Sequence, residues 1–334
     1  MALTLAEHWV WDFWFAQDGD DVHLFFLHAP RSLGDHDLRH WEARIGHAVS
    51  TDLHSWDLLP PVLPEPPRAA SADDRAMWTG SVVRNHDDTW WLFYTGLSHR
   101  DGGPAVQRII AATSSDLLVW NREPVLVEAD PRWYETWSPG MTDEHWRDPW
   151  VFWDRDSSHW HMFVTARSNA GPSDARGVIG HAQSPDLRSW EVLPPVSAPG
   201  EFRQMEVPQL VHLGGRWRVL FSAQSYDHSA LRLDRTHAQG GTHVLIGETK
   251  LGPYRLDGDL FLVGDPRGRL YAGRMLNHAG TWSYFAWEQF DDAGRFVGRI
   301  TDPMPVRMAP DGDVAVEVSS TAPDEENSAD HPGG

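Results

Sequence analysis

Short apolar runs recur along the chain at a near-constant interval, separated by polar stretches rich in Gly, Pro and Asp. Five of them share one form: Phe25-Phe26-Leu27, Leu92-Phe93-Tyr94, Met162-Phe163-Val164, Leu220-Phe221-Ser222 and Tyr284-Phe285-Ala286. Successive copies lie 67, 70, 58 and 64 residues apart. A fixed period of this kind marks a repeat architecture. The runs between them, such as Trp90 to Tyr94 and Val207 to Leu213, are β-branched and aromatic and are bounded by turn residues, as strands are. Long helical periodicity is absent from the pattern.

A second repeat supports the first. The pattern S-x-D-L-x-x-W stands at Ser50 to Trp56, Ser114 to Trp120 and Ser184 to Trp190, each followed by a Pro-rich segment, and a degenerate copy surrounds Gly252-Pro253-Tyr254. Asp and Ser suit a turn and Leu and Trp suit packing between sheets, so these copies read as structural. Five units of about 65 residues fill the chain to roughly Glu317. Each is long enough for a four-stranded sheet, and radial repetition of such sheets is a β-propeller. The expectation is an all-β, five-bladed propeller of four-stranded antiparallel blades over residues 1–318. An acidic tail, 319–334, reads as disordered. Pro60 to Asp74 reads as a long surface loop.

Three acids hold nearly the same place in three units. Asp12 lies 13 residues before Phe25, Asp148 lies 14 before Met162, and Glu206 lies 14 before Leu220. Equivalent positions around an axis converge, so three carboxylates are expected to share one pocket, where burial and like charge push their proton affinities apart. Each acid is placed at the opening of the innermost strand of its blade. The matching points of the other units are Trp78-Thr79-Gly80-Ser81 and the neighbourhood of Tyr271, whose aromatic and hydroxyl groups would line the same pocket. Taken singly, each acid has a structural explanation in a turn, a strand end or a rim charge. Taken together they suit glycosidic bond cleavage, in which one carboxyl protonates the leaving oxygen and another attacks carbon or activates water. A third can hold sugar hydroxyls and answer the positive charge that develops on the ring.

Composition narrows the partners. A net charge of −20 disfavours nucleic acid and anionic membrane surfaces. The absence of Cys removes disulfides and thiolate sites. Nineteen Trp suit either sugar faces or wide gaps between sheets. Trp11, Trp14, Trp78 and Trp150 flank the expected channel mouth, as an acceptor platform or as inter-blade packing. His159 and His161 alternate as in a strand, without a zinc-type cluster. No metal and no cofactor is expected, although the Asp18 to Asp21 turn would suit a structural calcium if it were not simply solvated. The loop Asp130 to Glu144 is placed as one wall of the pocket or as a packed surface loop. Met1 to Glu7 lacks the form of a signal peptide and no run spans a bilayer, so a cytoplasmic location is expected, with a processed secreted form as the alternative. Oligomeric state is not legible.

In chain order, Val10-Trp11-Asp12-Phe13-Trp14, Trp78-Thr79-Gly80-Ser81, Arg147-Asp148-Pro149 and Glu206 resemble the five-bladed propeller enzymes of glycoside hydrolase families 32 and 68, which act on fructofuranosides. The first segment is similar to the family 68 nucleophile segment, the second to the W-S-G-S motif, the third to the R-D-P motif. The resemblance implies Asp12 as nucleophile, Glu206 as acid and then base, and Asp148 as the group that holds ring hydroxyls and stabilises the transition state. Arg147 orients the acids, and Trp11, Trp78, Ser81, Arg147, Trp150 and Tyr271 bind substrate. It implies a retaining hydrolase of β-fructofuranosides, sucrose or short fructo-oligosaccharides, working through a covalent glycosyl-enzyme, with transfer to a second sugar as a further outcome. The chain departs from the family 32 pattern in having Phe13-Trp14 after the nucleophile and Val207 in place of Cys after Glu206, and no C-terminal β-sandwich is expected. An inverting arabinofuranosidase or xylosidase similar to family 43 is the rival enzyme. A non-catalytic carbohydrate-binding propeller is the rival of another class. A WD-repeat scaffold fits poorly, its period being shorter.

Overall fold

Each repeat folds as an antiparallel four-stranded sheet. The computed structural model describes residues 2–63, 71–98, 106–138, 141 and 144–318. Blade one is β1 (His8–Asp18), β2 (Asp21–Pro30), β3 (Arg44–Ser50) and β4 (Asp57–Leu59). Blade two is β5 (Ala76–Arg84), β6 (Trp90–Leu97), β7 (Arg108–Ser114) and β8 (Asn121–Val127). Blade three is β9 (Trp146–Asp154), β10 (His159–Arg167), β11 (Gly177–Ser184) and β12 (Glu191–Leu193). Blade four is β13 (Glu206–Leu213), β14 (Arg216–Ala223), β15 (Gly240–Gly247) and β16 (Tyr254–Leu256), with β17 (Val263–Asp265) added to β15. Blade five is β18 (Leu270–His278), β19 (Thr281–Phe290), β21 (Met304–Met308) and β22 (Val314–Val316), with β20 (Phe296–Ile300) added to β19.

The five apolar markers are therefore the second strands, β2, β6, β10, β14 and β19. They are buried on both faces because blades pack against them from either side, which is why they read as continuous apolar runs rather than alternating ones; every residue of β6 is buried. The S-x-D-L-x-x-W copies are the turns between third and fourth strands, as their composition indicated. Asp52, Asp116 and Asp186 each accept two backbone N–H groups, and Leu53, Leu117 and Leu187 sit at positive φ with buried side chains.

The core is a ring of seams between neighbouring blades. Trp91, Phe93, Trp146 and Met162 fill the seam of blades two and three; Phe163, Phe202 and Phe221 fill that of three and four. The first and fifth blades close through Leu3, which bridges Ile300, and through the Arg31 guanidinium, whose Nη2 donates to the Val297 carbonyl at 3.0 Å. The tail from 319 onward and residues 64–70 of the expected 60–74 loop lie outside the described residues.

Candidate active site

The innermost strands β1, β5, β9, β13 and β18 each carry a β-bulge at the same depth. The register slips between Trp11 and Phe13, between Trp78 and Gly80, opposite Phe163 to Thr165 around Asp148, between Glu206 and Gln209, and between Tyr271 and Arg274. Bulges leave a residue out of the ladder and re-aim its side chain. Here they leave Asp12, Thr79 and Asp148 out of the ladder and turn them toward one mouth of the propeller, where Glu206, still paired with Ser222 at the edge of its bulge, joins them. The backbone cost is visible in positive φ at Asp148 (57°), Val207 (55°) and Ala272 (49°), values uncommon outside glycine. Gly80 is required where it stands, because a Cβ there would meet the Phe93 carbonyl oxygen at 2.2 Å. Asp148 and Glu206 lie near the starts of β9 and β13 as expected; Asp12 lies in the middle of β1, whose ladder runs on to both sides of the bulge.

The three acids line a single pocket of about 650 Å³ together with Trp11, Trp78, Thr79, Arg147, Gln204 and Tyr271. Asp12 accepts from the Thr79 hydroxyl at 2.9 Å. Burial, and then the negative charges of Asp148 and Glu206, push its pKa up to about 7; the Thr79 hydroxyl and the Arg39 guanidinium pull the other way. The Oδ2 atom of Asp148 accepts from the Thr165 hydroxyl at 2.8 Å and from the Val207 N–H at 3.1 Å. Its pKa is also raised, chiefly by burial, with Arg147 opposing. Glu206 is held at both oxygens: Oε1 accepts from Arg147 Nη2 at 2.6 Å and Oε2 from the Tyr271 hydroxyl.

Arg147 is the hub of this wall. Its guanidinium also donates to Gln204 Oε1 at 2.8 Å and Gln107 Oε1 at 3.2 Å, and lies 3.5 Å from Asp148. Its Nη1 contacts His145 Nδ1 at 2.8 Å, where the imidazole must accept because a guanidinium cannot. Beneath the acids the buried Arg274 donates to the carbonyls of Phe13 and Pro208, at 3.2 and 2.7 Å, tying together the strands that carry Asp12 and Glu206. Burial lowers its pKa to about 10, so it stays cationic at neutral pH and offsets part of the carboxylate charge.

Two expected binding residues are placed elsewhere. Ser81 is past the bulge, and its hydroxyl accepts the Val151 N–H at 3.1 Å, which joins blades two and three. Trp150, one strand period beyond Asp148, packs in the seam of blades three and four with the Arg274 guanidinium 5.2 Å from its ring. Trp14 is fully buried and off the pocket; of the two that line it, Trp11 is 2% exposed and Trp78 is half-buried. No described residue of the loop 130–144 lines the pocket. That wall is built instead by the 3₁₀ turn His36–Trp41 between β2 and β3, capped by Asp35, which accepts the Asp37 N–H. The turn contributes Arg39, held between Trp11, Trp287 and Phe296, and the His40 carbonyl, which accepts the Trp78 indole N–H at 2.7 Å. Burial and the neighbouring Arg39 and Arg147 cations depress the His40 pKa to about 3, so its ring is neutral. A reading based on the strand repeat passes over this turn, and over the 3₁₀ turn Ser225–Asp227 between β14 and β15, whose Ser225 and Tyr226 also line the pocket. Among the described residues no group of three or more His, Asp or Glu side chains is arranged to hold a metal ion, and no helix is long and apolar enough to cross a membrane.

A five-bladed propeller with paired and buried carboxylates at one mouth defines a class of carbohydrate-active enzyme, and comparison with known proteins specifies it. Residues 15–285 match the model of the Glycosyl hydrolases family 32 N-terminal domain, and the chain belongs to that family. It is a glycoside hydrolase whose relatives include sucrases, invertases and a fructosyltransferase. The extracellular sucrase of Zymomonas mobilis is 25% identical over 364 residues, covering 93% of this chain and 82% of that protein. The sucrose-6-phosphate hydrolase of the same organism is 27% identical over 64% of this chain and 40% of its own. Among solved structures, inulosucrase from Halalkalicoccus jeotgali bound to kestose superposes with a TM-score of 0.77 at 21% identity, covering 93% of this chain and 87% of that one. Bacillus subtilis levansucrase superposes at 0.70 and 16%, covering 96% and 88%. These two share the fold. The expected cytoplasmic location is overturned: the sucrase that aligns along nearly the whole chain is named as extracellular.

Proposed function

We propose that this chain is a retaining β-fructofuranosidase acting on sucrose or short fructo-oligosaccharides. The observation that carries the reading is the convergence of Asp12, Asp148 and Glu206 on one pocket, each with different hydrogen-bond partners. Three carboxyl groups with different surroundings can take three different tasks. The names of the family 32 relatives point to sucrose-type donors.

In this reading Asp12 attacks the anomeric carbon while Glu206 gives its proton to the glycosidic oxygen. Water or a sugar hydroxyl then gives its proton to Glu206 and attacks the same carbon, releasing Asp12. Two inversions restore the starting configuration. Arg147 and Tyr271 fix the Glu206 carboxyl in place, so the proton is delivered along one direction. Asp148 is anchored through Oδ2, which leaves Oδ1 for the sugar hydroxyls, and its charge answers that of the oxocarbenium-like ring. Trp78, half-buried at the pocket, offers a face to the sugars, and an acceptor sugar stacked there competes with water for the glycosyl group.

The test is incubation with sucrose, short fructans and aryl arabinofuranosides, with methanol present as acceptor. The reading expects fructose and methyl β-fructofuranoside. Release of arabinose alone, or no methyl fructoside of retained configuration, contradicts it.

A further inference from the structure

A fourth carboxyl group stands behind the pocket, and the cleavage scheme has no task for it. Asp227 ends the short 3₁₀ turn Ser225–Asp227 after β14, is fully buried, and does not line the pocket. Its Oδ2 accepts from the Gln224 N–H at 3.0 Å and from the Gln204 side-chain amide at 3.3 Å, while Oδ1 is buried without a hydrogen-bond partner. Gln204 in turn presents Oε1 to Arg147 Nη2 at 2.8 Å, the same nitrogen that donates to Glu206 at 2.6 Å. An unbroken polar chain thus runs from Asp227 through Gln204 and Arg147 to Glu206. A buried carboxyl with an unsatisfied oxygen is costly, and such a group is retained in a fold where it orients something else.

We propose that Asp227 is a positioning residue for the acid step: it fixes the Gln204 amide so that its oxygen shares Arg147 Nη2 with Glu206, leaving the Glu206 carboxyl free to deliver its proton. Without this, the amide is free to turn over, and Arg147 closes fully on Glu206 as a two-membered ion pair, which resists protonation. The charged and titratable groups around the chain are consistent with one another. Glu206 is faced by Arg147 from β9, Tyr271 from β18, Tyr226 from the 3₁₀ turn, and Asp12 and Asp148 from β1 and β9; Asp227 is faced by Glu206, Arg147, Tyr226 and Tyr271. Burial first, and then the Glu206 charge, raise the Asp227 pKa to about 7. The inference rests on the assignment of Glu206 as the proton donor.

The experiment compares wild type, Asp227→Ala and Asp227→Asn on two donors. Sucrose has a poor leaving group and needs the proton; β-D-fructofuranosyl fluoride has a good one and does not. Asp227→Ala is expected to lower kcat on sucrose by about 10- to 100-fold while kcat on the fluoride stays within about threefold. Asp227→Asn, whose oxygen can still accept from Gln204, is expected to lose less and stands in if the alanine variant does not fold. A crystal structure of the variant is expected to show the Gln204 amide turned away from Arg147. Equal losses on both donors, no loss on sucrose, or an unmoved Gln204 overturns the proposal. Wild type that cleaves neither donor sinks the fructofuranosidase reading instead, while the position of Gln204 still decides the structural half of this one.

Discussion

In the proposed mechanism Asp12 combines two properties that oppose each other: it acts as a charged nucleophile, and the folded chain disfavours its charge. Its pKa is about 7 in the folded chain against an ordinary 3.8. The folded state therefore binds a proton that the unfolded state releases between those values, and stability falls as pH rises through that window. Asp12→Asn removes the penalty. Thermal unfolding should show this variant more stable than wild type above pH 7 and level with it near pH 4, while turnover falls about 10⁴-fold or more. The same titration gives the free enzyme an acid limb in kcat/KM near pH 7, because attack needs the carboxylate. An acid limb at the ordinary carboxylate value, or a variant that is less stable at high pH, contradicts this account of Asp12. The three acids were legible because their spacing from the strand markers recurs. Arg274, Gln204 and Asp227 were not: Arg274 is one polar residue in an apolar strand, Gln204 and Asp227 are polar residues among others in connecting segments, and only the fold brings them to the carboxylates.

The β-bulge is the element that turns a repeat into a site. Spacings of 13, 14 and 14 residues read as one shared offset, and no side-chain pattern marks a bulge, since the extra residue is defined by the partner strand. The shift it introduces also explains why Ser81 and Trp150, close in sequence to pocket residues, face the seams between blades. The S-x-D-L-x-x-W turns, by contrast, were legible in full because Asp capping and Leu packing are local chemistry. Asp116 accepts the N–H groups of Leu118 and Val119, both at 2.9 Å. Asp116→Ala should lower stability by about 1 kcal/mol, read as a lower unfolding midpoint in urea at constant slope, with kcat/KM unchanged. A loss of activity without a loss of stability would mean that the turn has a role in the site.

At the scale of the molecule, five sheets are held in register by seams and by one closure. Leu3 is buried against blade one and bridges Ile300 of blade five. Leu3→Ala should cost about 2 kcal/mol, and should leave kcat on sucrose intact. A fall in kcat that matches the fall in stability would show that closure of the ring also sets the geometry of the mouth. The period predicted the number of blades, since each blade buries its faces only against its neighbours. It was silent on the 3₁₀ turn His36–Trp41, which belongs to one blade and carries Arg39 and His40 to the pocket.

The central claim is that Asp12 forms a covalent bond with the fructosyl group. The most direct test is to react the Glu206→Gln variant with β-D-fructofuranosyl fluoride, quench in acid, digest, and locate the adduct by mass spectrometry. The leaving group needs no proton, so the first step proceeds, and without a base the second step is slow. The account predicts a gain of one fructosyl residue on the peptide that contains Asp12, absent in the Asp12→Asn, Glu206→Gln double variant. Fluoride release with no adduct on any peptide, or an adduct on Asp148, would contradict it.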